Sequence, residues 1–262
     1  MELGTAVTVA VGGYLIGSIS FARLVVRLFG PQKEMQQIDV EVPDSEATFR
    51  SGAVSATTVN LQLGPRFGCL TSILDIAKVA VPALALRLWQ PEMPYYLIFA
   101  GLGTVGHNWP VYHRFRGGRG MSTIIGGMLV VDWLGILVTT AVSMGVGLLM
   151  RSFYIANRLT ILLMVPWLWF RHRDWRLVAY AVFVNVINWI AVIPEAREMV
   201  RLRRAGKLKD FLEAKQVRVA GSGGEQLGER ATFYGMLAKL LSKDGEEEAE
   251  PVGSASEAGR SG

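Results

Sequence analysis

Three stretches of this 262-residue chain gather side chains suited to holding anionic oxygen. The longest runs Gly106-His107-Asn108-Trp109-Pro110-Val111-Tyr112-His113-Arg114-Phe115-Arg116-Gly117-Gly118-Arg119-Gly120, with three arginines interleaved among aromatics and glycines. The forked guanidiniums of Arg116 and Arg119 match phosphate geometry. Pro110 interrupts a helix, and Gly117, Gly118 and Gly120 let the backbone come close to a ligand. A loop that only sets membrane topology would explain the charge but not the glycines. The second stretch, Arg50 to Asn60, is rich in small and hydroxyl residues. Ser51 and Thr57 can offer hydroxyls there to phosphate oxygens, although polar loops of this kind are common without a ligand. The third is Asp75 and Lys78, three residues apart on one helix face. Inside an apolar run such a pair is costly, and it marks either a site or an ion pair that orients helices.

Other chemistries find no support. His107, His113 and His172 have no metal-ligand spacing, and the single cysteine, Cys69, lies far from them. No metal and no cofactor are expected, nor is a disulfide framework. No Ser-His-Asp set is evident. The net charge of +5 could point to nucleic acid, but the basic residues lie beside apolar runs, where topology and anionic headgroups account for them. No nucleic-acid partner is expected.

The elements that must position these residues follow from composition. Hydrophobic residues make up 51% of the chain and charged residues only 19%, against about 25% charged in an average soluble domain. The apolar residues come in long blocks, which excludes disorder over most of the chain. A bilayer core about 30 Å thick takes about 20 apolar residues as a helix. Blocks run from about Gly4 to Phe29, Leu70 to Trp89, Tyr95 to Val111, Met121 to Val131, Leu134 to Met150, Leu159 to Phe170 and Leu177 to Val192. Asp132-Trp133 reads as an interfacial turn. The expected fold is an all-α, polytopic transmembrane bundle of about seven spans, with five spans plus two re-entrant helices as the alternative. The membrane domain is placed at 1–205 and a partly disordered acidic tail at 206–262. Within that tail Gly221–Gly224 reads as a linker, Ala231–Leu241 as one short amphipathic helix, and Gly245–Gly262 as disordered.

With seven spans the basic stretches Arg23–Arg66, Arg114–Arg119 and Arg197–Lys209 fall on one side, the cytoplasm, together with the C-terminus. The loop Arg171-His172-Arg173-Asp174-Trp175-Arg176 disagrees, since it would carry its charge outside.

At the arginine-glycine stretch the sequence resembles a known family, the integral-membrane, acyl-phosphate-dependent glycerol-3-phosphate acyltransferases (PlsY-type). The resemblance covers about residues 12 to 205. It is strongest where Gly106 to Gly120 matches a Gly-His-x-Phe-Pro-Val-Phe…Phe-Lys-Gly-Gly-Lys-Gly signature, with Arg116 and Arg119 for the two lysines. Gly17-Ser18-Ile19, Leu74-Asp75-Ile76-Ala77-Lys78 and Arg151 also match. The family's first loop reads Gly-Ser-Gly-Asn-x-Gly-Ala-Thr-Asn followed by Arg; here Ser51, Gly52, Ala56 and Thr57 match, while Ala53, Ser55, Thr58 and Leu61 depart. Ala196 and Met199 stand where the family has His and Asn after the last span.

The resemblance implies a bacterial inner-membrane enzyme of phospholipid biosynthesis. Its substrates would be acyl phosphate and glycerol 3-phosphate, its product lysophosphatidic acid, and its surroundings the lipid bilayer; protein partners are unknown. Acyl phosphate carries a good leaving group, so no serine nucleophile is required, and the task is to hold two anionic substrates together. Arg116, Arg119 and Lys78, the N–H groups of Gly117, Gly118 and Gly120, and Thr57 are the expected phosphate-binding groups, with Asp75 as the structural partner of Lys78. His107 and Ser51 form the catalytic set, His107 as a candidate base; the donor phosphate is the other candidate acceptor of the hydroxyl proton. The alternative is a catalytically silent relative that binds lipid phosphate or scaffolds partner enzymes; a small transporter is a third reading.

Overall fold

The computed structural model describes residues 2–30, 38–41, 48–51, 54–150 and 153–204. Arg151 and the expected tail elements from 206 onward lie outside the described residues. Eight helices occur among the described residues: α1 Leu3–Gly17, α2 Phe21–Phe29, α3 Ala56–Leu63, α4 Pro65–Trp89, α5 Tyr95–Asn108, α6 Met121–Leu149, α7 Phe153–His172 and α8 Trp175–Arg204. Between α2 and α3, β1 (Ile38–Glu41) pairs antiparallel with β2 (Thr48–Ser51), Ile38 opposite Ser51. The helical bundle matches the expectation, and this small ladder is its one addition.

Contacts define two ends of the bundle. At one end the Glu2 backbone N–H donates to Tyr95 Oη at 3.1 Å, the Arg87 guanidinium donates to the Val130 and Val131 carbonyls, and Arg176 reaches the Glu92 carbonyl at 3.4 Å. At the other end Tyr14 Oη donates to the Trp109 carbonyl at 2.9 Å and Asn188 Nδ2 to the Arg119 carbonyl at 2.8 Å. Between them α1, α4 and α5 each cross once. Four helices are long and apolar enough to cross a membrane by length and composition: Leu3–Phe29 taken together, Pro65–Trp89, Met121–Leu149 and Trp175–Pro194. The contacts add the shorter crossings. α5 has 14 residues, about 21 Å of helix.

α6 is two helices joined at Asp132, whose backbone is extended (φ −156°, ψ 92°). Asp132 sits at the first end, bound to Arg171 and His172 at the close of α7, whereas α7 begins only a few residues after α6 stops. α7 and α8 run antiparallel, with Asn185 Nδ2 donating to the Ile161 carbonyl at 2.9 Å. Both halves of α6 therefore travel the depth of the bundle in opposite senses, and the crossings number seven among the described residues.

The first block departs from a single helix. Its chain breaks at Ser18–Ser20, and α2 leaves on a new axis to pack by Val25 and Val26 near Val59 of α3, with the Phe29 and Phe67 rings 5.1 Å apart. α1 lies tightly on α5, where glycines make room: a Cβ on Gly13 would stand 2.7 Å from the Phe99 carbonyl oxygen. The core, including Val79, Ile124, Met128, Ile161 and Met164, is formed by α4, α6 and α7 with α5 and α8. Large apolar side chains such as Leu28, Val81, Leu137, Leu148 and Ile190 face outward, as a lipid-facing surface requires.

The loop that disagrees with the charge rule is held by local partners. Arg171 Nε lies 3.0 Å from Asp132, Arg176 pairs with Asp174 at 2.8 Å, and Arg173 stacks over the Trp169 ring at 5.6 Å. Hydrogen bonds from Arg176 hold Asp174 below the usual carboxylate range, so it stays ionised. Three arginines thus meet two carboxylates, and the loop still runs against the charge rule, which counts Lys and Arg rather than net charge.

Asp132 is buried and its carboxylate collects the Gly135 N–H (2.9 Å), Trp167 Nε1 (3.0 Å), His172 Nε2 (2.9 Å) and Arg171. Replacing it by Ala strands these donors and removes the lock on the reversal. Asp132→Ala should cost about 3 kcal/mol, read as a lowered Tm of the detergent-purified protein, and Asp132→Asn should cost less because it keeps an acceptor.

Candidate functional site

The site end is built on the close of α5. Helix α5 stops at Asn108 because Pro110 cannot continue it. A 3₁₀ turn, Val111–His113, leads into two successive left-handed residues, Arg114 (φ 53°) and Phe115 (φ 60°). Non-glycine residues adopt that conformation only when held. Here the Phe115 N–H donates to the Pro110 carbonyl at 3.0 Å and the Arg116 N–H to the His113 carbonyl at 3.1 Å. Tyr112, Arg114, Phe115 and Arg116 are thrown outward by this turn and exposed.

The chain then folds back over α5. The Gly118 N–H donates to the His107 carbonyl at 3.0 Å. A Cβ at Gly117 would lie 2.7 Å from the Asn108 carbonyl, and one at Gly118 would strike the His107 imidazole, 3.0 Å from Cε1. Gly120 adopts φ +79° and leaves a Cβ no room beside Asn108 Oδ1 at 2.7 Å. The glycines are thus required by close approach of backbone to imidazole and amide.

Beneath this corner lies a buried polar trio. Lys78 Nζ is 2.7 Å from Asp75 Oδ1, 2.7 Å from the Ile19 carbonyl and 3.0 Å from His107 Nδ1. An ammonium has three hydrogens and no acceptor capacity, and three protein atoms with lone pairs stand within 3.0 Å of this one. The sequence places Lys78 on substrate phosphate; the structure sets it among these protein acceptors, where the break after α1 presents the Ile19 carbonyl to it. His107 Nδ1 is then the acceptor and Nε2 carries the proton, on the network's logic. Ser18, fully buried at the same break, donates to the Tyr14 carbonyl at 2.8 Å and accepts the Val111 N–H at 3.4 Å.

The two phosphate-suited stretches meet. The Val54 N–H donates to the Gly117 carbonyl at 3.0 Å, although more than sixty positions separate them. Thr57 lies half-buried in the first turn of α3, beside Thr58 and the helix-capping Ser55. The Ser51 backbone ends β2, and its side chain falls outside the described residues. Arg116 is exposed and Arg119 half-buried. Burial, and then the nearby Arg23 guanidinium, push the His113 imidazole below its usual range, so it adds no charge at neutral pH.

Two groups went unseen in the sequence. Asn188 holds the Arg119 carbonyl from α8, and Asn108 is buried against Gly120. A signal existed for the first: Asn185 and Asn188 are amides three apart in an apolar span, which marks a face turned to protein. Asn108 was read as part of a motif rather than as an amide.

The comparisons agree with this architecture. The sequence profile described as glycerol-3-phosphate acyltransferase matches residues 7–205. A glycerol-3-phosphate acyltransferase of Shouchella clausii (strain KSM-K16) is 33% identical over 189 residues, covering 67% of this chain and 83% of the relative. Two crystal structures of PlsY, an integral membrane glycerol 3-phosphate acyltransferase, align over 77% of this chain and 93% of theirs. The glycerol 3-phosphate form is 25% identical with a TM-score of 0.59. The lysophosphatidic acid form, at 24% identity and a TM-score of 0.60, supports the fold.

The lysine-to-imidazole contact has a direct readout. Nitrogen NMR of histidine-labelled protein at neutral pH should show His107 as the Nε2–H tautomer, and Lys78→Met should convert it to a mixture of tautomers. An Nδ1–H signal in the unmodified protein would contradict the assigned network.

Proposed function

This chain belongs to the glycerol-3-phosphate acyltransferase family, and we propose that it transfers a fatty acyl group from acyl phosphate to the 1-hydroxyl of sn-glycerol 3-phosphate. The observation that carries the reading is the meeting of the hydroxyl-bearing stretch with the arginine-glycine corner through Val54 and Gly117. On this reading Thr57, Arg116 and Arg119 would line one substrate opening near His107.

In the reaction the glycerol oxygen attacks the acyl carbonyl carbon, the bond from that carbon to the phosphate oxygen breaks, and inorganic phosphate leaves with lysophosphatidic acid as product. Both substrates are anionic, so their approach must be offset by cations; Arg116 and Arg119 supply them with forked donors. The Gly118 N–H is engaged by the His107 carbonyl, so the amides of Gly117 and Gly120 are the corner's donors. Ser51, in the hydroxyl-bearing stretch, is the remaining expected group of the catalytic set. Lys78 acts through His107, fixing its tautomer while Asp75 balances the charge. With Nδ1 occupied by Lys78, His107 offers a hydrogen from Nε2 rather than a lone pair. It is therefore suited to stabilise negative oxygen, and the hydroxyl proton passes to the departing phosphate. Substrate phosphate as proton acceptor also fits Ala196, which leaves no imidazole after the last span.

The basic residues at the site end (Arg23, Arg27, Arg66, Arg114, Arg116, Arg119, Arg197) support a cytoplasmic site and C-terminus in a bacterial inner membrane. The departures at Ala53, Thr58, Leu61, Ala196 and Met199 favour one rival, a silent relative that binds lipid phosphate.

Detergent-purified protein given acyl phosphate and glycerol 3-phosphate should release lysophosphatidic acid, and Arg119→Ala should lower kcat/KM by about 100-fold or more. Arg119→Lys should retain most activity if charge alone is used and lose it if the fork is used. Binding of acyl phosphate without product in the unmodified protein would establish the silent relative instead.

A further inference from the structure

Arg23 lies beside the turn that carries Arg116. The chain break at Ser18–Ser20 turns α2 so that its first turn, capped by Ser20, faces the loop after α5. There Arg23 Nη2 donates to the Arg116 carbonyl at 3.0 Å, across 93 positions of sequence. The rest of the guanidinium is unspent. Its Nε is buried without a hydrogen-bond partner, and no carboxylate among the described residues lies within ion-pair distance of it. Its charge bears on Arg116 and on the neighbouring His113. Arg27, one turn along α2, is exposed and makes no such contact.

The half-buried Arg23 guanidinium feels the charge of Arg116, and burial costs it hydration. An anion held between the two side chains would relieve both costs. A phosphate group does so with several oxygens, each able to accept a charge-assisted hydrogen bond. The carbonyl of Arg116 fixes one nitrogen of Arg23, which aims the planar fork and reduces the side-chain freedom lost on binding.

We propose that Arg23 is a substrate-binding residue, whose guanidinium, anchored on the Arg116 carbonyl, completes with Arg116 a paired clamp for a phosphate group. The inference rests on the acyl-transfer reading for the identity of the phosphate, but the clamp itself binds any phosphate monoester or acyl phosphate. The two substrates separate the sources: Arg23→Ala raises the KM of whichever one the clamp holds, by about 10-fold or more, with a smaller change in kcat.

The test compares Arg23→Ala, Arg23→Lys, Arg23→Gln and the control Arg27→Ala in the full-length, detergent-purified chain. KM is measured for glycerol 3-phosphate and for acyl phosphate separately, and the binding of inorganic phosphate by calorimetry. Arg23→Lys should recover part of the lost binding. Arg23→Gln, which keeps an N–H for the Arg116 carbonyl but no charge, should not, and Arg27→Ala should match the unmodified protein. If Arg23→Gln binds and turns over normally, Arg23 only braces the loop and the proposal is overturned; unchanged phosphate binding in Arg23→Ala overturns it as well. Should the unmodified protein make no product, the calorimetric arm still decides on the clamp while the acyl-transfer reading falls.

Discussion

A buried ammonium governs the site end of this molecule. Lys78 sits within a helix that crosses the bilayer, and such a charge is retained only if its hydrogens are all satisfied. It is surrounded by Asp75 on its own helix, the Ile19 carbonyl at the end of the first crossing and the imidazole of His107 on α5. Three separate chain segments are obliged to converge on one nitrogen. The break after α1 turns the Ile19 carbonyl toward the ammonium. Ser18 repairs the same gap by accepting the Val111 N–H.

Above the lysine, position is set by backbone. Gly117 and Gly118 lie where no side chain fits, and the arginines on either side inherit their direction from main-chain hydrogen bonds to α5, α3's approach and α8. Two left-handed residues, Arg114 and Phe115, close the turn. Such strain is tolerated where neighbouring contacts over-determine the conformation, and the bonds to Pro110 and His113 do so here. The opposite end follows another plan, in which one carboxylate, Asp132, ties four donors and turns the chain back on itself.

Much of this was legible in the chain. The stretch from Gly106 to Gly120 announced itself because glycines and arginines at a membrane face have few other reasons to alternate. Asp75 and Lys78 were visible as an intramembrane pair, and Asp132-Trp133 as a turn, because polar residues interrupt apolar blocks. Other features depend on partners distant in sequence. Nothing local to Ile19 says that its carbonyl meets Lys78, and the β1–β2 ladder is short, although Ile38 to Glu41 alternates apolar and acidic residues. Arg23 and Arg27 look alike as basic residues one turn apart, yet only the bend after α1 decides which meets Arg116.

The outward throw of Tyr112 and Phe115 fixes a depth. Aromatic rings of this kind settle at the boundary between hydrocarbon and water, and they flank the very turn that carries Arg114 and Arg116. Under the proposed acyl transfer, the arginine-glycine corner would then stand at the level where an amphiphile's polar head already floats. A tailed donor would have no need to leave its leaflet to be met, and its search would be a planar one, while a small soluble acceptor would arrive from the aqueous side along the third dimension.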